Sequence, residues 1–175
     1  MKKFFSDAMP AGSADEKRTV VVSVAIAAAM LALDMITKLL VISCFKLYES
    51  VSVIEGVLNW TYIRNPGAAW GIFAGYTWLL LLISLCVFAL IIRFYRYLTE
   101  GYAERFWAMA LVIAGIIGNS IDRIWHGEVI DFIDVHYYNL WHYPVFNVAD
   151  IAICTGVGVF ILSNVLRKSS RDEQK

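Results

Sequence analysis

Residues 19–42 read TVVVSVAIAAAMLALDMITKLLVI, an apolar stretch that is long enough to cross a lipid bilayer as one helix. A bilayer core needs about 20 mostly apolar residues. Asp34 and Lys38 interrupt the stretch four positions apart, so they fall on one helical face. An ion pair between them would lower the cost of placing both charges in the membrane. We therefore interpret this pair as structural, or as positioning the outer end of the helix.

Three further stretches have the same apolar character, at about residues 76–92, 106–124 and 145–166. The chain of 175 residues is 59% hydrophobic and only 17% charged, whereas a soluble domain usually carries about 25% charged residues. The sequence therefore predicts an all-α membrane protein, a single integral membrane domain with four transmembrane helices.

The positions of Lys and Arg predict how these helices are oriented, because basic residues are enriched on the cytoplasmic side. Eleven of the 15 basic residues lie before the first stretch, between the second and the third, or after the fourth. Both termini are therefore expected in the cytoplasm, and residues 43–75 and 125–144 on the outer side. The 15 basic and 15 acidic residues balance, and we expect no nucleic-acid partner.

The two outer segments differ in pattern. β-Branched and aromatic residues partly alternate between Val51 and Ile63, which predicts a small strand-rich element at the membrane surface. The second outer segment is rich in aromatic residues, which predicts an interfacial helix or a loop that lies on the bilayer.

The cysteines and histidines show no pattern typical of a metal site. Cys86 and Cys154 lie inside apolar runs, which predicts small buried side chains. His126, His136 and His142 are separated by ten and six residues, a spacing that fits no compact set of ligands. We therefore expect no metal and no cofactor.

Asp131 and Asp150 lie in apolar settings near the ends of hydrophobic stretches, in Val-Ile-Asp-Phe and Phe-Asn-Val-Ala-Asp. A carboxylate near hydrocarbon costs roughly 2.5–3.5 kcal/mol, so such residues are candidates for function. The third helix leaves the membrane on the outer side and the fourth re-enters there, so a hairpin of two antiparallel helices could bring both aspartates face to face. Two carboxylates that share a proton can hydrolyse an amide, one as general base on water and the other by protonating the carbonyl oxygen.

Other interpretations of the acidic residues stay open. Each of the two aspartates could cap a helix or pair with Arg123. Asp122 adjoins Arg123 and could pair with it or hold the loop, and Asp134 lies three residues beyond Asp131. Acidic residues that face a helix bundle would also suit a small ion- or proton-coupled transporter. In a membrane scaffold, the same polar motifs would only hold helices together.

Five motifs together resemble the lipoprotein signal peptidases, the type II signal peptidase family, over roughly residues 30–165. They are Asp34-Met-Ile-Thr-Lys38, Asn65-Pro-Gly67-Ala68-Ala69-Trp70-Gly71, Gly118-Asn119-Ser-Ile-Asp122-Arg123, Val129-Ile-Asp131-Phe132 and Phe146-Asn147-Val-Ala149-Asp150. The family usually has Phe at the position of Trp70, so we expect a reshaped wall of the site. It commonly has Gly at the position of Ala114, which concerns close helix packing.

The resemblance implies an aspartic endopeptidase that needs no cofactor, with Asp131 and Asp150 as its catalytic pair. It leaves Asp34, Lys38 and Asp122 as structural polar residues. We expect the supporting and substrate-binding positions to be Asn65, Gly67, Ala68, Asn119, Arg123 and Asn147.

The resemblance also implies the reaction and its location. The substrate would be a prolipoprotein whose cysteine carries diacylglyceryl, and cleavage just before that cysteine would remove the signal peptide. The partners would be such signal peptides and the membrane lipids. We expect a multi-pass protein of the bacterial cytoplasmic (inner) membrane, with its active site near the outer face. One chain contains the whole expected site, so we expect a monomer.

Overall fold

The computed structural model describes residues 8–68, 72–138 and 140–172. Within these residues the chain forms five α-helices and four β-strands. The helices are α1 (Ala14–Cys44), α2 (Thr77–Arg93), α3 (Tyr95–Thr99), α4 (Ala103–His126) and α5 (Val148–Asp172). The strands are β1 (Ser50–Ile54), β2 (Leu58–Asn65), β3 (Val129–Tyr137) and β4 (Trp141–His142).

Four of the five helices, α1, α2, α4 and α5, match the four predicted apolar stretches, but they are not equal in length. By length and composition, α1, α4 and α5 are long and apolar enough to cross a membrane. α2 is a shorter apolar helix of 17 residues, at the lower limit of the roughly 17–25 residues that a spanning helix needs. Three of the four expected spans are therefore supported by length within the described part of the chain.

α1 begins earlier than the predicted span because its first turn is capped by polar residues. Ser13 Oγ accepts a hydrogen bond from Glu16 N at 3.1 Å. Asp15 and Glu16 place negative charge in the first turn, where the helix dipole favours it. The helix thus extends beyond the apolar stretch that marks the membrane core.

α4 is the central helix and packs against α1, α2 and α5. Small residues let the helices approach closely, as is usual in membranes. A Cβ atom built on Gly156 would lie 2.5 Å from Ala108 O, and one built on Gly115 would clash with Ala149 O. Ala114 is buried beside Gly115, so this packing accommodates the alanine.

Both outer segments contribute to one antiparallel sheet with the strand order β1-β2-β3-β4. In the pairing of β2 with β3, Ile63 lies opposite Asp131 and Asn65 lies opposite Val129. The strand-rich element predicted between Val51 and Ile63 is confirmed. The interfacial helix or loop predicted for residues 125–144 is wrong, because the backbone of this segment pairs with the otherwise open edge of β2.

A tight turn leads from α4 into the sheet. Gly127 has a φ of 76°, and its N–H donates a hydrogen bond to Arg123 O at 3.2 Å. Glycine adopts this left-handed conformation without a steric cost, so the helix ends here and β3 begins two residues later. Asp131 therefore lies on a strand, which corrects the predicted hairpin of two helices.

The outward faces of the helices are apolar, with exposed residues such as Leu33, Leu82 and Leu162. Cys86 and Cys154 are also exposed, so the prediction that they are buried is wrong. An apolar run in a membrane helix includes residues that face lipid, and it therefore does not indicate burial inside the protein.

Candidate active site

A cavity of about 160 Å³ lies where β3, the chain after β2, α4 and the start of α5 meet. The structure brings Asp131 and Asp150 together in its lining. The other lining residues are Asn65, Gly67, Ala68, Asn119, Arg123, Val129, Tyr143, Pro144, Val145, Phe146, Ile153 and Cys154. A mostly apolar cavity with a few convergent polar groups is typical of a binding site.

Asp131 is a buried residue of β3, with only 1% of its surface exposed. Its Oδ2 accepts a hydrogen bond from Asn65 Nδ2 at 2.9 Å, and its Oδ1 accepts one from Asn147 Nδ2 at 2.7 Å. Burial and the nearby charge of Asp150 raise the pKa of Asp131 to about 7, against the lowering effect of the two amides and Lys38. This carboxyl group can therefore hold a proton near neutral pH.

Asp150 is half-buried in the first turn of α5 and forms a capping box with Asn147. Asp150 N donates to Asn147 Oδ1 at 2.9 Å, and Asn147 N donates to Asp150 Oδ2 at 3.2 Å. Asp150 Oδ1 accepts a hydrogen bond from Asn119 Nδ2 at 2.8 Å. The capping role that the sequence left open for Asp150 is thus present, and it coexists with a position in the cavity wall.

Asn147 is fully buried and connects the two aspartates. Its Nδ2 lies 2.7 Å from Asp131 Oδ1, 3.0 Å from Asn119 Oδ1 and 3.2 Å from Ile130 O. Because its Oδ1 also caps Asp150, any displacement of Asn147 would move both carboxylates. The sequence did contain a signal for this cap, since Asn147 and Asp150 have the three-residue spacing of a capping box.

Asn65 and Arg123 hold the chain that follows β2. Asn65 Oδ1 accepts a hydrogen bond from Gly67 N at 2.9 Å, the geometry of an Asx turn. Arg123 Nη2 donates to Gly67 O at 3.2 Å, and its Nη1 donates to Asn119 O at 3.4 Å. Arg123 thus ties this chain segment to α4 through backbone carbonyl groups.

A second group of charged residues lies behind the cavity, among the helices. Lys38 Nζ lies 2.8 Å from Asp34 Oδ2, 2.7 Å from Asp122 Oδ2 and 3.1 Å from Asn119 Oδ1. The structure contains the ion pair that the spacing of Asp34 and Lys38 suggested. It also joins Asp122 to Lys38, a cation distant in sequence, rather than to the adjacent Arg123.

The two carboxylates of this group also hold backbone N–H groups. Asp34 Oδ1 accepts from Ala149 N at 2.9 Å in the first turn of α5, and Asp122 Oδ2 accepts from Ile130 N at 3.2 Å in β3. A Cβ atom on Gly118 would lie only 2.5 Å from Asp34 Oδ2, so glycine leaves room for this contact. We call Asp34, Lys38 and Asp122 the Lys38 cluster, and it joins α1, α4, α5 and β3.

Parts of the cavity were not found from the sequence. Cys154 lies four residues after Asp150, which puts both on one face of α5, so helical periodicity was a usable signal. The apolar wall from Tyr143 to Phe146 depends on strand pairing that no local pattern reveals. Trp70, which the resemblance places in the wall of the site, lies outside the described residues.

Comparisons with known proteins give a consistent result. Residues 26–166 match the profile of a family described as signal peptidase (SPase) II. The lipoprotein signal peptidase of Syntrophotalea carbinolica is 43% identical over 79% of this chain and 87% of its own length. That of Actinobacillus succinogenes is also 43% identical, over 75% of this chain and 82% of its own length.

Two solved structures are similar in fold and sequence. Both are described as bacterial membrane enzyme structures by the in meso method, one at 2.3 Å and one at 1.9 Å resolution. The first has a TM-score of 0.77 and 33% identity, and the match covers 88% of this chain and 93% of that one. The second has a TM-score of 0.70 and 34% identity, with coverage of 81% and 91%.

Proposed function

Because the chain belongs to the signal peptidase II family, we propose that it removes signal peptides from prolipoproteins and does so as an aspartic endopeptidase. Membership in this family indicates a peptidase of the membrane that takes part in lipoprotein maturation. The observation that carries the aspartic mechanism is the cavity in which Asp131 and Asp150 each present a carboxylate held by amide donors.

In the resting enzyme Asp131 holds the proton that the pair shares, and Asp150 is the general base. The raised pKa of Asp131, about 7, supports this assignment. Asp150 lies at the N-terminus of α5 and accepts N–H bonds there, which stabilise its negative charge. Two neighbouring carboxylates cannot both ionise easily, so the titration belongs to the pair as a whole.

The proposed reaction needs only the two carboxyl groups and one water. Asp150 takes a proton from a water molecule while the water oxygen attacks the scissile carbonyl carbon. Asp131 gives its own proton to the carbonyl oxygen. In the second step Asp150 passes its proton to the amide nitrogen, and the carbon–nitrogen bond breaks. Asp131 regains a proton from the hydroxyl group as the new carboxyl forms, which restores the starting state.

We place both termini in the cytoplasm and the sheet at the outer face of the bacterial cytoplasmic membrane. In this arrangement α2 crosses the membrane in addition to α1, α4 and α5. Contacts at the opposite end of the helices from the sheet support this orientation. Met9 N donates to Gly101 O at 2.9 Å, and Arg167 pairs with Glu104. Met9, Arg167 and the segment before α4 therefore lie on one side, next to the parts of the sequence where basic residues are concentrated.

The proposed substrate is a prolipoprotein whose cysteine carries diacylglyceryl, cleaved just before that cysteine. The names of the relatives support the class of substrate. The cavity wall that includes Val145, Phe146 and Ile153 is apolar, which suits a signal peptide that is itself a membrane segment. One chain supplies the complete cavity, so the proposed active unit is a monomer with lipid around it.

A transporter is the less favoured alternative. It would need acidic groups that are free to bind and release ions along a path between helices. Asp34 and Asp122 do lie among the helices, but both are paired with Lys38. Each carboxylate also accepts a backbone N–H, so both are held in place, which favours a structural role.

The substrate proposal is tested by incubating purified protein with a prolipoprotein in two forms, with and without diacylglyceryl on its cysteine. Mass spectrometry should find a product that begins at the lipidated cysteine. The unmodified form should be cleaved at least about tenfold more slowly, because binding energy from a remote part of the substrate assists the reaction. Cleavage at another bond, or equal rates for both forms, would contradict the proposed substrate.

A further inference from the structure

A third set of polar side chains lies on the sheet, away from the cavity. Asp134 and His136 are two residues apart on β3, so they project from the same face of the strand. His142 of β4 lies opposite His136 in the strand pairing. The sheet therefore brings one carboxylate and two imidazoles to one place.

The ligand atoms of these three residues converge. Asp134 Oδ1 lies 3.8 Å from His136 Nδ1 and 3.5 Å from His142 Nδ1. Each of the three residues offers one ligand atom within 4.8 Å of the other two. A tetrahedral zinc ion with bonds of about 2.0–2.1 Å holds its ligand atoms about 3.3 Å apart, and the two distances from Asp134 Oδ1 to the imidazole nitrogens are close to that value.

Two of these atoms are buried without a partner. Asp134 and His136 are only 6% and 9% exposed. Among the described residues, Asp134 Oδ1 and His136 Nδ1 have no hydrogen-bond partner. Buried polar atoms are normally satisfied, and an unsatisfied one calls for an explanation such as a bound ion.

We propose that Asp134, His136 and His142 bind one divalent metal ion with the ligand preferences of Zn²⁺. One carboxylate oxygen and two neutral imidazole nitrogens form a ligand set that zinc commonly uses, and water would complete the tetrahedron. The rings of His136 and His142 stack at 4.9 Å with 13° between their planes. An imidazole nitrogen binds a metal ion that lies in the plane of its ring, and two stacked, nearly parallel rings cannot both do so for one ion. The exposed ring of His142 therefore turns toward the ion on binding.

A hydroxyl chain fixes the carboxylate for this role. Asp134 Oδ2 accepts a hydrogen bond from Thr61 Oγ1 at 2.9 Å, and Thr61 Oγ1 lies 2.8 Å from Ser50 Oγ. Partners of this kind orient metal ligands from the outer shell. Thr61 thus occupies Asp134 Oδ2 and leaves Asp134 Oδ1 directed at the imidazoles.

The ion would link β3 to β4 and so stabilise one wall of the cavity. β4 has only two residues, and the chain that follows it, from Tyr143 to Phe146, lines the cavity. An ion shared by β3 and β4 would hold this wall in position. Asp131 and Asp134 are three residues apart, so they project from opposite faces of β3, and the ion takes no part in the proton transfers.

This proposal replaces the expectation of no metal, which rested on the spacing of the histidines alone. The third ligand is a carboxylate, Asp134, two residues before His136. His126 lies at the end of α4 and is not part of the group. The alternation of side chains along β3, rather than spacing along the sequence, is what brings the ligands together.

The test is a metal titration of the intact protein, purified without a histidine tag and stripped of metal. Co²⁺ should bind with a stoichiometry of one per chain and give the visible absorption of tetrahedral coordination, and Zn²⁺ should displace it. Zn²⁺ should also raise the unfolding temperature, because a ligand that binds the folded state stabilises it.

Matched variants locate the site. His142→Ala removes an exposed ligand, and Asp134→Asn keeps the shape of a buried one; each should raise the Kd for Co²⁺ at least about tenfold, since fewer ligands remain. His126→Ala removes an exposed histidine elsewhere and should bind as the wild type does. The proposal is overturned if no stoichiometric ion binds, or if His142→Ala and Asp134→Asn both keep the wild-type Kd.

Discussion

Behind the cavity Asp34 and Asp122 share the ammonium group of Lys38, whereas in the cavity Asp131 and Asp150 accept hydrogen bonds from amide groups. Among the described residues, no Lys or Arg forms a salt bridge with either carboxylate of the cavity. A buried carboxylate that contacts a cation and a backbone N–H serves as a fixed link. A buried carboxylate with neutral donors can gain or lose a proton.

The two groups also differ in what they face. The carboxylates of the Lys38 cluster also bind backbone N–H groups at the start of α5 and in β3. Asp131 and Asp150 line a cavity that a substrate could enter. Asn119 contacts both groups, through Lys38 Nζ and through Asp150 Oδ1, so the Lys38 cluster supports the position of the Asp150 carboxylate.

The largest expected effect on stability comes from Lys38→Met. It leaves Asp34 and Asp122 buried without their cation, and removal of one partner from a buried ion pair costs about 3–5 kcal/mol. The unfolding temperature should fall by about 10 °C, measured in detergent. Lys17→Met, an exposed lysine of the same helix, is the control. Equal unfolding temperatures for the two variants would mean that the cluster does not stabilise the fold.

Activity should fall as the pH rises through about 7, because the pair then loses the proton that Asp131 supplies. Well above this pH, kcat/KM, which reports the ionisation of the free enzyme, should fall about tenfold per pH unit. The same raised pKa means that the folded protein binds this proton more tightly than the unfolded chain does. The contribution of Asp131 to the free energy of unfolding therefore falls as the pH rises from 3.8 to about 7, and it is constant above about pH 7.

Unfolding caused by this group therefore cannot explain a loss of kcat/KM above pH 7. The pH profile of kcat/KM is measured at low substrate concentration, with the unfolding temperature recorded at each pH as a control. A kcat/KM that stays flat up to pH 9 would show that Asp131 is not the proton donor.

A smaller effect is expected from Asn65→Ala, which removes the hydrogen bond to Asp131 Oδ2. This bond lowers the pKa of Asp131, so its loss raises the pKa and moves the alkaline limb of the kcat/KM profile to higher pH. Poorer positioning should reduce kcat about tenfold at pH 7. Asn59→Ala, on the same strand but outside the cavity lining, should behave as the wild type. An unshifted limb would refute the role of Asn65.

The smallest effect is expected from chelation. The proposed ion on Asp134 lies on the face of β3 opposite Asp131, so its removal should change kcat less than about twofold at saturating substrate. A rise in KM would fit a loosened wall between Tyr143 and Phe146. A large loss of kcat after chelation, restored by Zn²⁺, would instead assign the ion to the chemistry.

Hydrophobic length predicted the helices well, because a chain in lipid must satisfy its backbone hydrogen bonds within each helix. The pairing of β2 with β3 was not predicted, since the partners are far apart in sequence and the aromatic residues of the second outer segment suit an interface equally well. For this reason Asp131 was expected at a helix end and lies on a strand.

The structure places both predicted aspartates in the lining of one cavity, although Asp131 comes from a strand and not from the expected helix end. Their catalytic role stays a prediction. Their hydrogen-bond partners could not be assigned, because Asn65, Asn119 and Asn147 come from three different elements whose contacts depend on tertiary packing. Only the capping box between Asn147 and Asp150 is local enough to be predicted from spacing.

The most direct test of the proposed pair is single-turnover cleavage of the diacylglyceryl-modified prolipoprotein by Asp131→Asn and Asp150→Asn. Asparagine keeps the shape of each side chain but can neither give nor take the proton. Each variant should cleave at least about 1,000-fold more slowly than the wild type while remaining folded, and Glu128→Gln, an acidic residue outside the cavity lining, should cleave normally. Cleavage at a near wild-type rate by either asparagine variant would contradict the assignment.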